Sequence, residues 1–337
     1  MILPRQQIEE LMRAGQVRTT DDSSAEGQPP ALQPASLDLQ LGDTAFRMRA
    51  SFLPGRDRAV ADGIKALCLH EISLVGGAVL EVGCIYLIPL RETLDLPADV
   101  SALANPKSST GRLDVFARVI GEGSERFDAL PAGYSGPLWL EVAPRTFGVV
   151  ARPGDRLCQM RLRRGDAQPL RRQTVSVDLS DDGRTVGYRA RRHSALVDLR
   201  GVGAHEALDF WEPVRLRGGG LILEPDEFYI LASREAVAIP AGEAAEMAAI
   251  DTEIGEFRAH YAGFFDPGFG TDEAGGSGSR AVLEVRGRDV PFLLRHGQPV
   301  AHLVFEALSA VPDRLYGANG SHYQKQGLRL GKHFATL

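Results

Sequence analysis

Polar and apolar residues along most of this chain follow the patterns of β-strands. Residues 36–41 alternate strictly between polar and apolar side chains, as expected for a strand with one buried face. Short apolar runs bounded by glycine and proline predict further strands at 78–89, 138–142, 157–162, 221–231, 281–286 and 299–305. Near the start, Ile8 and Leu11 lie at helical spacing after Pro4 and predict one short helix. A mainly β fold, barrel or jelly-roll-like, is therefore favoured over a parallel α/β fold.

The sequence repeats itself at a fixed offset of 143 residues. The recurring pairs include Leu80-Glu81 and Leu223-Glu224, Tyr86 and Tyr229, Arg91-Glu92 and Arg234-Glu235, and Glu141-Val142 and Glu284-Val285. One offset over so many positions indicates domain duplication, because solenoid repeats have far shorter periods. We predict two domains, residues 1–175 and 176–337, called here the first and the second copy; their division falls in a region rich in Arg, Asp and Gly.

The composition is that of a globular protein and argues against several functional classes. Of the 337 residues, 44% are hydrophobic and 24% are charged, which suits two domains that each bury a core. The net charge of -6 argues against general nucleic-acid binding, which needs a basic surface. No apolar run is long enough for a membrane span. We expect a cytoplasmic protein, because Cys68, Cys84 and Cys158 are odd in number and too scattered for a disulfide framework.

Residues 105–112 carry side chains that can bind phosphate. They include two hydroxyl groups and two cations: Ser108, Ser109, Lys107 and Arg112. These groups can hydrogen-bond several phosphate oxygens, although the spacing is not that of a Walker loop. A helix start capped by Ser108 fits the same residues. At the repeat offset, Arg112 falls on Gly255, so we expect phosphate binding in the first copy alone.

Residues 260–270 predict a hairpin in the second copy. Asp266-Pro267-Gly268 is a strong turn signal, and the hairpin would present backbone amides and Asp266 to a planar ligand. Glu284 lies in the apolar strand that follows and is expected to face the same region. A glutamate there is unfavourable unless it is paired or catalytic, although a water-facing glutamate on a sheet is the commoner case. Its counterpart Glu141 fits a function in both copies or a shared structural role.

The C-terminal segment occurs once per chain. It contains aromatic and amide side chains, among them Tyr316, Tyr323 and Gln326. Such side chains suit a lid that closes over a base and its phosphates. A disordered terminus fits the same composition.

Several of these segments resemble the deoxycytidine triphosphate deaminase branch of the trimeric deoxyuridine triphosphatase superfamily. The similar segments are residues 2–5 with the helix that follows, 33–42, 107–112 and 323–327. The resemblance implies two tandem dUTPase-like distorted β-barrel domains. It also implies an enzyme that hydrolyses dCTP to dUTP and ammonia, in which the dUTP supplies the precursor of thymidylate. It also implies deamination without catalytic zinc. The sequence agrees, since it has neither a His-x-Glu nor a Pro-Cys-x-x-Cys signature.

The resemblance also implies roles for individual residues. The general base and acid is Glu284, with Glu141 as the alternative in the first copy. Substrate contacts are implied for Lys107, Ser108, Ser109, Arg112, Ala262, Asp266, Val282, Tyr316, Tyr323 and Gln326. Mg²⁺ is expected to accompany the triphosphate and to be held through its oxygens. The partner is dCTP, and the chain is expected to form a homo-oligomer.

Family sites form between neighbouring barrels, so we predict a composite site. The turn at 107–112 comes from the first copy, and the hairpin with Glu284 comes from the second. A site that uses Glu141 between like first domains is the alternative. The sequence departs from the family pattern at Lys107, where arginine is usual, and at Gly263, where histidine is usual. Residues 128–133 of the first copy lack the Asp-Pro-Gly order.

Two rival functions are compatible with the sequence. The nearer one is a dUTP diphosphatase, or a bifunctional enzyme that performs both steps, since Asp266 could serve either reaction. The rival of a different class is a nucleotide-binding regulator without turnover.

Overall fold

The chain is mainly β, and its described part contains four short helices. The computed structural model describes residues 1–20, 31–166, 168–180, 182–216, 218–250, 257–260, 263–272, 278–317 and 326–336. The helices are α1 (Arg5–Arg13), α2 (Val60–Leu67), α3 (Ser108–Gly111) and α4 (Ala207–Phe210). α1 is the predicted N-terminal helix, and Ile8 and Leu11 form its buried side. None of these helices has the length and apolar character needed to cross a membrane.

The strands fall into two series. The first is β1 (Val17–Thr19), β2 (Leu37–Leu39), β3 (Thr44–Met48), β4 (Cys68–Ser73), β5 (Ala78–Leu80), β6 (Ile85–Asp95), β7 (Val100–Pro106), β8 (Val115–Gly121), β9 (Ala129–Leu130), β10 (Ser135–Pro144), β11 (Val149–Ala151) and β12 (Cys158–Arg164). The second is β13 (Arg171–Ser176), β14 (Gly187–Ala190), β15 (Val197–Asp198), β16 (Trp211–Val214), β17 (Leu221–Leu223), β18 (Phe228–Val237), β19 (Glu243–Ala249), β20 (Phe257–His260), β21 (Phe264–Phe265), β22 (Ser279–Gly287), β23 (Phe292–Leu294) and β24 (Pro299–Ala307). The predicted strands are confirmed, except that turns divide the runs at 78–89 and 221–231 into two strands each.

The duplication seen in the sequence is present in the strand order. β3, β5, β6 and β7 begin at residues 44, 78, 85 and 100, and β14, β17, β18 and β19 begin 143 residues later in each case. In the first copy the order β4-β3-β6-β10-β8 forms one sheet and β2-β12-β7-β9 another. In the second copy the same orders recur as β16-β14-β18-β22-β20 and β13-β24-β19-β21. Each copy is therefore built as the same pair of sheets, as expected for tandem dUTPase-like domains.

Segments of the second copy pack against the first copy and hold the two together. β15 pairs in parallel with β11 of the first copy. Phe210, Trp211 and Phe334 enter the first hydrophobic core, where each packs against the ring of Phe147. β13 pairs with β24, so the predicted division after residue 175 falls inside a strand of a second-copy sheet. The copies consequently share buried surface along much of their length.

Replacement of Phe147 tests this shared core. Phe147 is 1% exposed, and its ring centroid lies 5.3 Å from that of Trp211. We expect Phe147→Ala to lower the free energy of unfolding by about 3–5 kcal/mol, because a buried aromatic side chain leaves a cavity. The measurement is chemical denaturation followed by tryptophan fluorescence. The control is Leu208→Ala, at a position 52% exposed, with an expected change of about 0.5 kcal/mol or less. Equal losses in the two variants would contradict the shared core.

Candidate active site

A cavity of about 250 Å³ lies between the two copies. Nine of the predicted site residues line it: Lys107, Ser108, Ser109, Arg112, Asp266, Val282, Glu284, Tyr316 and Gln326. Ala262 and Tyr323 lie outside the described residues. The structure thus places the turn of the first copy opposite Glu284 of the second, in the composite arrangement that the sequence predicts.

The first-copy wall of the cavity is the turn around α3. Lys107 occupies the N-cap position of α3 and makes no side-chain capping bond, so the alternative of a cap by Ser108 is wrong. The hydroxyl of Thr110 donates to the Leu157 carbonyl oxygen at 2.8 Å and fastens α3 beside the start of β12. Ser108 and Ser109, on the same turn, line the cavity.

Arg112 connects this turn to the C-terminal segment. It is 2% exposed, and its Nη1 donates to the carbonyl oxygens of Arg329 and Leu330 at 3.1 and 3.4 Å. Its Nη2 donates to Oε1 of Gln326 at 2.9 Å, and Gln326 Nε2 donates in turn to the Arg280 carbonyl oxygen. The sequence predicts a phosphate contact for this guanidinium. In the structure these nitrogens bind the C-terminal segment, because its fold brings carbonyl and amide oxygens within reach.

Glu284 reaches the cavity through the alternation of β22. Leu283 and Val285 point into the second-copy core, whereas Val282 and Glu284 line the cavity on the other side of the strand. Glu284 is 6% exposed. Burial raises the pKa of its carboxyl to about 8, Arg112 opposes this rise, and Asp114 adds to it. The group is therefore mostly protonated at neutral pH.

A buried ion pair between Asp114 and Arg286 lies next to Glu284. Asp114 follows the α3 turn with a φ of 55° and is fully buried. Its carboxylate accepts hydrogen bonds from Arg286 Nη2 and, at 2.6 Å, from the hydroxyl of Thr146. Arg286 comes two residues after Glu284 and so lies on the same side of β22. This pair fastens the end of the first-copy turn to the strand that carries Glu284.

The predicted tight hairpin around the turn at Asp266 is wrong, although the turn is present and β20 does pair with β22. β21 pairs with β19, whereas β22 pairs with β18 and β20 of a different sheet. Too many residues separate Phe265 from Ser279 for a tight hairpin loop. The chain instead passes from one sheet to the other between these two strands.

The turn after β21 sets the position of Asp266. Gly270 has a φ of 69°, and a Cβ there would lie 2.1 Å from the Val237 carbonyl oxygen, so this position requires glycine. Asp266 is 6% exposed and lines the cavity. Burial raises the pKa of its carboxyl, and the neighbouring Arg161 opposes that rise.

Several residues that line the cavity are not among those predicted from the sequence. They are Arg5, Gln33, Asp38, Gln159, Arg314 and Lys332. Asp38 is fully buried and its carboxylate contacts Lys107 Nζ. A charged residue between apolar neighbours at 36–41 was a usable signal for it. Lys332 has no such signal, because only the fold of the C-terminal segment brings it to the cavity.

The charge of the lining suits an anionic ligand. Among the described residues, five basic side chains line the cavity, namely Arg5, Lys107, Arg112, Arg314 and Lys332, against the three carboxyl groups of Asp38, Asp266 and Glu284. Burial lowers the pKa of Lys332. Within the described ranges, no group of three or more His, Cys, Asp and Glu side chains could hold a metal ion.

Glu141 occupies a different environment from its counterpart. It is 3% exposed and is not among the described residues that line the cavity. Its Oε1 accepts a hydrogen bond from Arg118 Nε at 3.0 Å, and Arg118 Nη2 also donates to Ser51 at 3.2 Å. Trp139, on the same side of β10, packs in a cluster with Val60 of α2. The sheet face around Glu141 is therefore filled by its own copy.

The raised pKa of Glu284 predicts how stability depends on pH. Folding raises the pKa of the Glu284 carboxyl from its ordinary value of 4.5 to about 8, so the folded chain binds the proton more tightly than the unfolded chain between these values. Stability therefore falls as pH rises from about 4.5 to 8, and the full cost of ionising the buried group is present above 8. We expect Glu284→Gln to be more stable than the unmodified protein at pH 8 by a few kcal/mol, with the gain shrinking toward pH 5.

Thermal melts of the variant and the unmodified protein across this pH range check the expectation. The matched control is Glu141→Gln, which removes the hydrogen-bonded partner of Arg118 and should give no gain at pH 8. A pH-independent effect of Glu284→Gln would show that this carboxyl is not held in its protonated form.

Comparison with known proteins agrees with the fold. The family model for the 2'-deoxycytidine 5'-triphosphate deaminase N-terminal domain matches residues 1–166, and the model for the C-terminal domain matches residues 154–334. A crystal structure of 2'-deoxycytidine 5'-triphosphate deaminase from Agrobacterium tumefaciens is similar, with a TM-score of 0.85 and 50% sequence identity. The match covers 91% of this chain and 98% of that one. The chain belongs to the 2'-deoxycytidine 5'-triphosphate deaminase family.

Proposed function

We propose that this protein is a dCTP deaminase that converts dCTP and water into dUTP and ammonia. Family membership supports the reaction, and the geometry of the cavity supports its location. The observation that carries the assignment is a buried glutamate with a raised pKa, opposite hydroxyl and cationic groups of the other copy. The base would lie near Glu284 and the triphosphate near the α3 turn.

In this proposal Glu284 is the general acid and base. Its protonated carboxyl gives a proton to N3 of cytosine, and the resulting carboxylate takes a proton from the water that adds to C4. The carboxyl then protonates the amino group, the C4–N bond breaks, and ammonia leaves. The remaining C4 hydroxyl returns its proton to Glu284, which restores the enzyme and yields uracil. A carboxyl with a pKa of about 8 suits both directions of transfer near neutral pH.

The triphosphate is proposed to bind with its Mg²⁺ as part of the substrate. Lys107, Ser108 and Ser109 face the cavity and supply a cation and two hydroxyl donors. Arg112 is proposed to act chiefly by holding Gln326 in the wall. Tyr316 and Tyr323 are proposed to close the nucleotide site from the C-terminal side.

Catalysis is proposed for Glu284 and not for Glu141. The carboxylate of Glu141 is bound by Arg118 and surrounded by side chains of the first copy. Glu141 is also not among the described residues that line the cavity beside the turn at 107–112. This contrast favours one composite site in each chain.

Product analysis tests the function. The protein is incubated with dCTP and Mg²⁺, and the nucleotides are separated by chromatography. We expect dUTP without dUMP. Formation of dUMP and pyrophosphate would make the enzyme bifunctional, and unchanged dCTP would favour a nucleotide-binding regulator.

Substitution of the two glutamates tests the assignment of the acid. We expect Glu284→Gln to lower kcat by about 10²–10⁴-fold, the usual contribution of general acid–base catalysis, while dCTP still binds. Glu141→Gln is the matched control and should retain the unmodified rate. Loss of activity in the control with survival of activity in Glu284→Gln would move the site to the first copy.

A further inference from the structure

Arg161 is a buried arginine that crosses from the first copy to the second. It lies in β12 and is 1% exposed. Its Nη1 donates to the Ala245 carbonyl oxygen at 2.9 Å, and its Nη2 donates to the Phe265 carbonyl oxygen at 2.9 Å and to Asp266 Oδ1 at 3.1 Å. The guanidinium also lies 4.0 Å from the centroid of the Phe264 ring. All of these partners belong to β19, to β21 or to the residue that follows β21.

The position of Arg161 on its strand relates it to the cavity. Gln159, Arg161 and Arg163 are spaced by two residues and so lie on one side of β12. Gln159 lines the cavity, whereas Arg163 forms hydrogen bonds of 2.5 and 2.6 Å with Glu306. Arg161 lies between them on the strand. It contacts residues 264–266, which line the cavity, on the side away from the cavity. Arg163 makes a comparable crossing contact, but its hydrogen-bond partner Glu306 is not among the described residues that line the cavity.

Burial of a guanidinium is unfavourable unless its donors and its charge are matched. The planar fork of arginine serves two carbonyl oxygens and a carboxylate here, which the single ammonium of lysine cannot do with the same geometry. At the repeat offset, the equivalent of Arg161 in the second copy is Val304. The second copy therefore has no arginine that could make the equivalent contact.

We propose that Arg161 is a positioning residue that holds residues 264–266 in place, so that Asp266 and its neighbouring backbone meet the nucleoside in a fixed arrangement. The proposal rests on the dCTP deaminase function proposed above. Arg161 itself does not contact the nucleotide. It acts through Asp266, which lines the cavity, and through the β21 backbone beside it.

The role predicts a particular kinetic signature. Contacts to the nucleoside, away from the reacting C4, stabilise the bound substrate and the transition state equally. Their loss raises KM and leaves kcat nearly unchanged. A defect in Glu284 instead lowers kcat. The division between KM and kcat thus separates misplacement of the cavity wall from damage to the chemistry.

The first test is Arg161→Met, with Arg163→Met as the matched control on the same strand. We expect Arg161→Met to raise the KM for dCTP by about 10–100-fold, the scale of effect caused by misplaced binding groups, with little change in kcat. Arg163→Met loses a crossing ion pair and should keep both constants. Equal changes in the two variants, or an unchanged KM in Arg161→Met, would overturn the proposal.

A double-mutant cycle with Asp266→Asn tests whether Arg161 acts through Asp266. If it does, Arg161→Met raises KM by a clearly smaller factor in the Asp266→Asn background than in the unmodified protein. Independent, multiplicative factors would contradict the mechanism. If Arg161→Met does not fold, Arg161→Lys is measured in its place. A raised KM with unchanged kcat in that variant supports the positioning role, and an unchanged KM overturns it.

Failure of the deaminase function can be told apart from failure of this inference. Activity of the unmodified protein on dCTP is measured first. If it is absent, the proposed function fails, and the dissociation constant of dCTP, measured by calorimetry, replaces KM in the same comparison. An increase confined to Arg161→Met would still support the positioning role, and equal constants in both methionine variants would overturn it.

Discussion

The buried ion pair between Asp114 and Arg286 is the interaction on which the composite site depends. Asp114 comes two residues after the first-copy turn at 107–112, and Arg286 lies two residues beyond Glu284. Both side chains are nearly inaccessible, so removal of either would leave an uncompensated buried charge at a cost of about 3–5 kcal/mol. The two halves of the site are thereby fixed relative to each other before any ligand binds. Asp114 also helps to raise the pKa of Glu284, which connects this structural pair to the proposed chemistry.

The two copies have diverged at equivalent positions in ways that leave one site. Glu284 faces the cavity, and the pKa of its carboxyl is raised. Glu141 is hydrogen-bonded to Arg118 and covered by side chains of its own copy. The turn at 107–112 lines the cavity from the first copy, and the turn that carries Asp266 lines it from the second. Duplication within one chain permits this division, because each copy needs to keep only the elements that face the shared cavity.

The sequence predicts the fold and much of the site, because both depend on local patterns. Alternation and the 143-residue repeat give the strands and their duplication, and the differences between copies indicate a composite site. The contacts that assemble the site join residues far apart in the chain, such as Arg161 with Asp266. No local pattern marks these pairs or the approach of Lys332. The hairpin prediction failed for a related reason. The residues of the turn are recognisable in the sequence, but nothing local shows that β21 and β22 join different sheets.

The most direct test of a site built within one chain is complementation between two variants that each carry a defect on one side of the site. Chains with Arg112→Met, which alters the first-copy turn, are co-expressed with differently tagged chains that carry Glu284→Gln, and the deaminase activity of the recovered protein is measured. Because the turn and Glu284 line the same cavity of one chain, every site then contains one defect. We expect no more activity than in the two variants alone, as a site built within one chain requires. Recovery of a substantial share of the unmodified activity would show that the turn and the glutamate come from different chains, and would contradict it.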